Sequence, residues 1–186
     1  MSGLPDILAK NLDVVFCGLN PGLGAAAAGH HFVGRGNRFW LVLYRSGFTP
    51  RLLDPHEDRL LLNECCGLTT VVPRPTAGAD EVSASEFSAA AGSLDGKIRM
   101  HRPRFMAFLG KKAYCTIVRQ TNIEWGRQPE LMGPTIPWVL PNPSGRNRGF
   151  SLDELISAYT ELRVATGRAE PKFSSKELKA DDLSRL

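Results

Sequence analysis

The sequence predicts an α/β fold: three layers, α/β/α, around a central, mainly parallel, four-stranded sheet. Two observations lead there. Short apolar runs of strand length alternate with amphipathic stretches of helical period, in the order β-α-β-α-β-α-β-α. That order calls for crossover connections and a sheet covered on both faces. The loops after the four apolar runs, GLNPG, PRPT, GKKAY and PNPSG, are also the richest in turn-forming and polar residues. Open parallel sheets bind ligands outside the carboxyl ends of their strands, so these loops are expected to crowd one edge.

The elements follow in chain order. Asp13–Cys17 is a short apolar run and reads as a buried strand. Asn37–Gly47 reads as a helix, with Phe39, Trp40, Leu43 and Tyr44 at helical spacing. Leu68–Val72 is the second strand. Ser83 and Glu86 form a capping-box pattern that opens a helix to His101, with Phe87, Ala91, Leu94 and Ile98 on one face. Arg104–Leu109 is the third strand, and a helix follows from about Lys111 to Gln120. Ile136–Leu140 is the fourth strand. Ser151 and Glu154 form another capping box, for a helix running to about Thr166.

The chain has 186 residues, 42% hydrophobic and 23% charged, as expected for one soluble globular domain. That domain is expected over residues 1–167, with a polar extension over 168–186. The net charge of +4 and a pI near 9.0 are compatible with a polyanionic partner without requiring one. There is no secretory signal pattern and no long apolar span, so a cytoplasmic protein is expected, nucleoid-associated if bacterial. Cys17, Cys65, Cys66 and Cys115 lack CxxC or Cys/His metal spacing and read as buried thiols. An iron–sulfur centre would require all four to converge in space.

Two Asn-Pro loops carry the most chemistry. VVFCGLNPG (Val14 to Gly22) and WVLPNPSGRNR (Trp138 to Arg148) each turn the chain sharply after a strand. A carboxamide such as Asn20 is no general base, but it can hold a water or the edge of a planar ligand; Asn-Pro-Gly is also ordinary turn chemistry. The loop GHHFVGRGN (Gly29 to Asn37) offers His30, His31, Phe32 and Asn37. Phe32 lies off any periodic helix face, so it is either a stacking surface or an anchor into the core. Arg146 and Arg148, beside Ser144 and Gly145, suit a probe that approaches phosphates or base edges, or a solvated entry to the last helix. Walker, dinucleotide and GxSxG patterns are absent. Asp80 and Glu81 are candidate auxiliary acids, or an acidic pair complementing a helix N-terminus.

The combination GLNPG, GHHFVGRGNRFW and PNPSGRNR resembles the mismatch-specific uracil and thymine DNA glycosylases, a branch of the uracil-DNA glycosylase superfamily, from about Leu8 to Thr166. The resemblance implies a monofunctional hydrolase that takes uracil or thymine opposite guanine from double-stranded DNA, as a monomer without metal or cofactor. By that resemblance Asn20 orients the attacking water, and Phe32 stacks on the flipped base. The backbone around Gly18 and Leu19, and at Phe32, reads the pyrimidine edge. Ala25, His31, Asn37 and Thr70 complete the expected base site. Asn142, Pro143, Ser144, Gly145, Arg146, Asn147 and Arg148 form the wedge that fills the gap left by the flipped nucleotide.

Some bacterial members of that family carry serine and lysine where this chain has Ala25 and Thr70, and leucine where it has Arg146. Ala25 with His30, His31 and Asn37 is closer to the animal thymine-excising branch. This motivates the hypothesis that 5-substituted pyrimidines, oxidised cytosines among them, are accepted. The alternative is a module of the same fold that recognises damaged or abasic DNA with little turnover. A nucleotide-binding protein unrelated to DNA is the third reading.

Overall fold

A computed structural model describes residues 3–78 and 81–168 of the chain. The sheet has five strands, not four: β1 (Val14–Gly18), β2 (Cys66–Thr70), β3 (Phe105–Leu109), β4 (Gly126–Arg127) and β5 (Ile136–Leu140). Their order is β2-β1-β3-β5-β4. The four expected strands pair in parallel, and β4 adds an antiparallel edge to β5. A two-residue strand of Gly and Arg has neither alternation nor an apolar run, so no sequence pattern announces it.

Strand residues alternate between two cores, as the two-residue period of a pleated strand requires. Val14, Phe16, Leu68, Phe105, Ala107 and Leu140 pack against α2 (Phe39–Arg45) and α5 (Leu152–Ala165). Val15, Cys17, Met106, Phe108 and Val139 pack against α3 (Ala84–His101) and α4 (Lys111–Val118). The result is three layers, α/β/α. Phe16 sits at the centre of the first core, edge-on to Phe39 and Phe48 and stacked on Tyr159.

Both expected capping boxes form, Ser83 with Glu86 and Ser151 with Glu154, each cap contributing about 1 kcal/mol. β2 begins two residues earlier than expected, because Gly67 belongs to the strand. The N-terminal segment crosses there: Ile7 exchanges both backbone hydrogen bonds with Leu68. A Cβ on Gly67 would meet the Ile7 carbonyl at 2.6 Å, so this glycine marks a close approach rather than a strand boundary.

Two further elements lacked a periodic signal. Short α1 (Leu23–Ala28) follows the GLNPG loop, and a 3-10 helix spans Pro55–Glu64. Asp54, Pro55 and Glu57 form a capping box with Pro at the first turn of the 3-10 helix, a readable start signal. Arg168 pairs with Glu64 at 3.4 Å and so packs on the domain; the rest of the expected 168–186 extension lies outside the described residues.

Candidate active site

β1 and β2 end in register, Gly18 opposite Thr70, and β3 and β5 end beside them at Leu109 and Leu140. A cavity of about 780 Å³ opens at this edge. Gly18, Leu19, Asn20, Ala25, His31, Phe32, Asn37 and Thr70 line it, and so do Asn142, Ser144, Gly145 and Arg146 from the second Asn-Pro loop. Pro143, Asn147 and Arg148 lie outside its lining. Ala25 is buried on α1, and its carbonyl accepts from the His30 N–H at 3.3 Å.

Asn20 is held by its nitrogen. Nδ2 donates to Thr76 Oγ1 at 2.6 Å and to the carbonyls of Pro21 and Arg74 at 3.2 Å each. Carbonyls only accept, so the amide has one orientation. Thr76 Oγ1 passes its own proton to the Gly78 carbonyl at 2.7 Å, which makes it an acceptor toward Asn20. Oδ1 then has no partner among the described residues and is left as the free acceptor of a residue that lines the cavity. Arg74 is itself fixed by Glu86, 2.5 Å away. That guanidinium, with the Ser83 cap second, holds the Glu86 carboxyl down to about 2.

Phe32 anchors into the core, one of the two roles that the sequence left open, and also borders the cavity. One face stacks on Phe39, with ring centroids 3.8 Å apart, while the residue also lines the cavity. Its φ of 56° is left-handed, a conformation that costs a non-glycine residue about 1–2 kcal/mol. The His31 backbone before it is clamped. Its N–H donates to Asp58 Oδ2 at 3.0 Å and its carbonyl accepts from Trp40 Nε1 at 3.3 Å. The Phe32 N–H has no acceptor among the described residues. Asp58, 3% exposed and also 3.3 Å from His30 Nδ1, is a support that the sequence reading missed.

His31 is buried, and its Nε2 lies 2.9 Å from the Pro5 carbonyl. That carbonyl requires the proton on Nε2. Burial pushes the imidazole below its ordinary 6.5, against weaker upward pulls from Pro5 and Asp58. The ring is therefore neutral, with Nδ1 as its acceptor. Asn37 accepts from the Phe39 N–H through Oδ1 at 3.0 Å, and this leaves its Nδ2 donors for a ligand. The Thr70 hydroxyl has no partner among the described residues.

The second Asn-Pro loop is internally braced. Asn142 Oδ1 accepts from the Ser144 N–H at 2.9 Å, and Asn147 Nδ2 donates to the Asn142 carbonyl at 2.8 Å. Both amides therefore shape the loop. Arg146 reaches across to the Ala77 carbonyl at 2.9 Å. Arg148 is exposed and has no partner among the described residues. Arg38 donates to the carbonyls of Phe150 and Asn147 at 2.9 and 2.8 Å. Neither Arg38 nor Thr76 stood out by sequence: Arg38 opens a helix, and Thr76 lies in a turn.

Glu81 is exposed, outside the cavity lining, and accepts from the Gly78 N–H at 3.0 Å. Asp80 lies outside the described residues. No carboxylate lines the cavity among the described residues. Cys17 and Cys66 fall in different cores on opposite faces of the sheet, so the four thiols do not converge; burial pushes both up to about 12. What the cavity offers is an aromatic face, neutral donors, an unpaired amide oxygen on a lining residue, the His31 ring, and Arg35 and Arg146. It can hold a planar neutral ring and a water, and among the described residues no carboxylate stands in its lining to deprotonate that water.

Two comparisons bear on this geometry. The sequence pattern of the uracil DNA glycosylase superfamily matches residues 5–163. A solution NMR structure from Methanosarcina acetivorans, provisionally named a uracil DNA glycosylase, is similar in fold, with a TM-score of 0.59 and 21% identity. The match covers 87% of this chain and 97% of that one.

Proposed function

The chain belongs to the uracil DNA glycosylase superfamily, and from that premise we propose that it is a monofunctional, mismatch-directed glycosylase. Its substrate is uracil or thymine opposite guanine in duplex DNA. The observation that carries the reading is Asn20, whose nitrogen is consumed by three acceptors and whose oxygen is left free at the cavity.

A base inside a duplex is out of reach, so it must be flipped, at a cost of a few kcal/mol that is least at a mismatch. The flipped pyrimidine stacks on the free face of Phe32. The Phe32 N–H and Asn37 Nδ2 supply donors to its oxygens. As the glycosidic bond breaks, negative charge gathers on the departing base. A fixed donor in a dry site stabilises such charge by about 3–4 kcal/mol, by analogy with oxyanion holes. A water that donates to Asn20 Oδ1 has its lone pair turned toward the sugar carbon, which is positioning rather than proton abstraction. Ala25 and Thr70 leave room and a hydroxyl near the ring, and this supports the extension to 5-substituted pyrimidines.

The test is single-turnover formation of abasic sites on a G·U duplex, with the native protein and Asn20→Ala. The native protein is expected to release uracil, and the variant to lose about 100-fold while it still binds the duplex. Binding without abasic sites in either protein would leave a damage-recognising module instead. Release of uracil but of no thymine, 5-formylcytosine or 5-carboxylcytosine would remove the extension.

A further inference from the structure

The loop that reads the base and the loop that enters the duplex meet at one residue. Arg38 is the N-cap of α2, directly after Asn37 of the base loop. Its N–H donates to the Pro143 carbonyl at 3.0 Å. Its guanidinium then holds three more carbonyls of the second Asn-Pro loop: Phe150 at 2.9 Å, Asn147 at 2.8 Å and Ser144 at 3.4 Å. Beside it the Gly145 backbone rests on the Gly36 carbonyl with no space for a Cβ. Four carbonyls between Pro143 and Phe150 thus accept from this one residue, three from its side chain and one from its N–H, and that of Ser144 also accepts from the Asn147 N–H at 2.9 Å.

We propose that Arg38 is a positioning residue for duplex entry: it holds the loop from Pro143 to Phe150 in its protruding shape and locks that shape to the base pocket. The chemistry supports a specific arginine. Its planar fork directs several N–H groups at once, whereas a lysine ammonium is a single point charge. The carbonyls face inward to the guanidinium, and the tip, Gly145 and Arg146, stays exposed at the rim of the cavity, with Arg146 reaching the Ala77 carbonyl. Without the fork, the Phe150 and Asn147 carbonyls lose their donor, while Ser144 keeps the Asn147 N–H and Pro143 keeps the Arg38 N–H, so the tip loses the side-chain part of its bracing. Arg38 touches neither base nor water in this account and acts through the loop.

The inference rests on the glycosylase reading, and the experiment separates the two. Uracil release is measured in single turnover for the native protein, Arg38→Lys and Arg38→Ala. One duplex carries a stacked G·U pair; a second carries uracil in a one-nucleotide bulge, already free to leave the helix. The expected result is a loss of about 100-fold on the stacked pair and a much smaller loss on the bulge, because the pocket is intact and only entry is impaired. Equal losses on both substrates, or no loss on either, would overturn the proposal. If the native protein released no uracil from either duplex, the glycosylase reading would fall. Amide hydrogen exchange over residues 143–150 then decides the hold of Arg38 on the loop. Faster exchange in Arg38→Lys supports it, and unchanged exchange refutes it.

Discussion

Replacing Thr76 with valine removes one hydroxyl and nothing else of size. The hydroxyl is the shortest of three acceptors around Asn20 Nδ2, 2.6 Å against 3.2 Å for the other two. The Thr76 N–H keeps its bond to the Pro21 carbonyl at 3.0 Å, though the hydroxyl's bond to the Gly78 carbonyl at 2.7 Å is lost together with the contact to Asn20. One neutral hydrogen bond is worth about 1 kcal/mol, or about fivefold in rate if all of it is felt at the barrier. The remaining carbonyls keep the amide from flipping but not from swinging. A swing that moves the water by about 1 Å raises the loss toward 100-fold. The expected loss is about tenfold, between those bounds. Single-turnover uracil release at saturating protein measures it, with duplex affinity measured separately and expected to be unchanged. Thr76→Ser keeps the hydroxyl and should retain the native rate. A full rate in the valine variant, or equal losses in valine and serine, would refute the idea that this hydroxyl aims Asn20.

The remaining expectations concern the loops and pH. Gly145→Ala drives a methyl into the Gly36 carbonyl, an overpacking that costs about 1–3 kcal/mol; thermal melting should show the cost, and release of a stacked uracil should fall more than release of a bulged one. His31 is neutral in the fold because burial depresses its pKa below 6.5. Below that pH the unfolded chain takes a proton that the folded chain refuses, so stability is full above about 6.5 and is lost as pH falls toward the depressed value. Denaturant unfolding at pH 7 and 5 should show a larger drop for the native protein than for His31→Gln, and equal drops would remove His31 as the cause.

Much of the fold was legible because the four main strands are buried on both faces and three of them are largely apolar. Val14 to Gly18 and Phe105 to Leu109 are buried throughout, and such runs stand out in sequence whatever packs on them. Gly67 misled, since a glycine in a strand reads as a break until the crossing segment at Ile7 is seen. The cavity lining was also largely legible, because Asn20, Phe32 and Asn37 sit in loops whose composition has little structural purpose elsewhere. The supports were not. Asp58, Thr76 and Arg38 act at separations of 27, 56 and up to 112 residues along the chain, and no local pattern carries a contact of that range. Asp80 and Glu81 drew notice as acids after a site loop, yet Glu81 spends its carboxylate on the turn at Gly78.

The two Asn-Pro loops look alike in sequence and use opposite ends of the amide. Asn20 spends its nitrogen on the protein and keeps its oxygen for the cavity; Asn142 spends its oxygen on the Ser144 N–H at 2.9 Å and so closes a turn. The difference follows from what each loop meets. Around Asn20 stand the Pro21 and Arg74 carbonyls and the Thr76 hydroxyl, whose own hydrogen is directed at the Gly78 carbonyl, so all three take donors. Beneath Asn142 the next free group is a backbone N–H, which can only take an acceptor. One amide keeps an acceptor for a ligand, which the proposed function assigns to water, and the other becomes a brace. On the proposed reading, a site with an amide at the water and no carboxylate among its described lining gains from the leaving group what it lacks in the nucleophile. Its fixed donors at Phe32 and Asn37 therefore matter more than any one contact to the water. Such a site works best where flipping costs least, which is the physical ground for expecting a preference for mispaired pyrimidines.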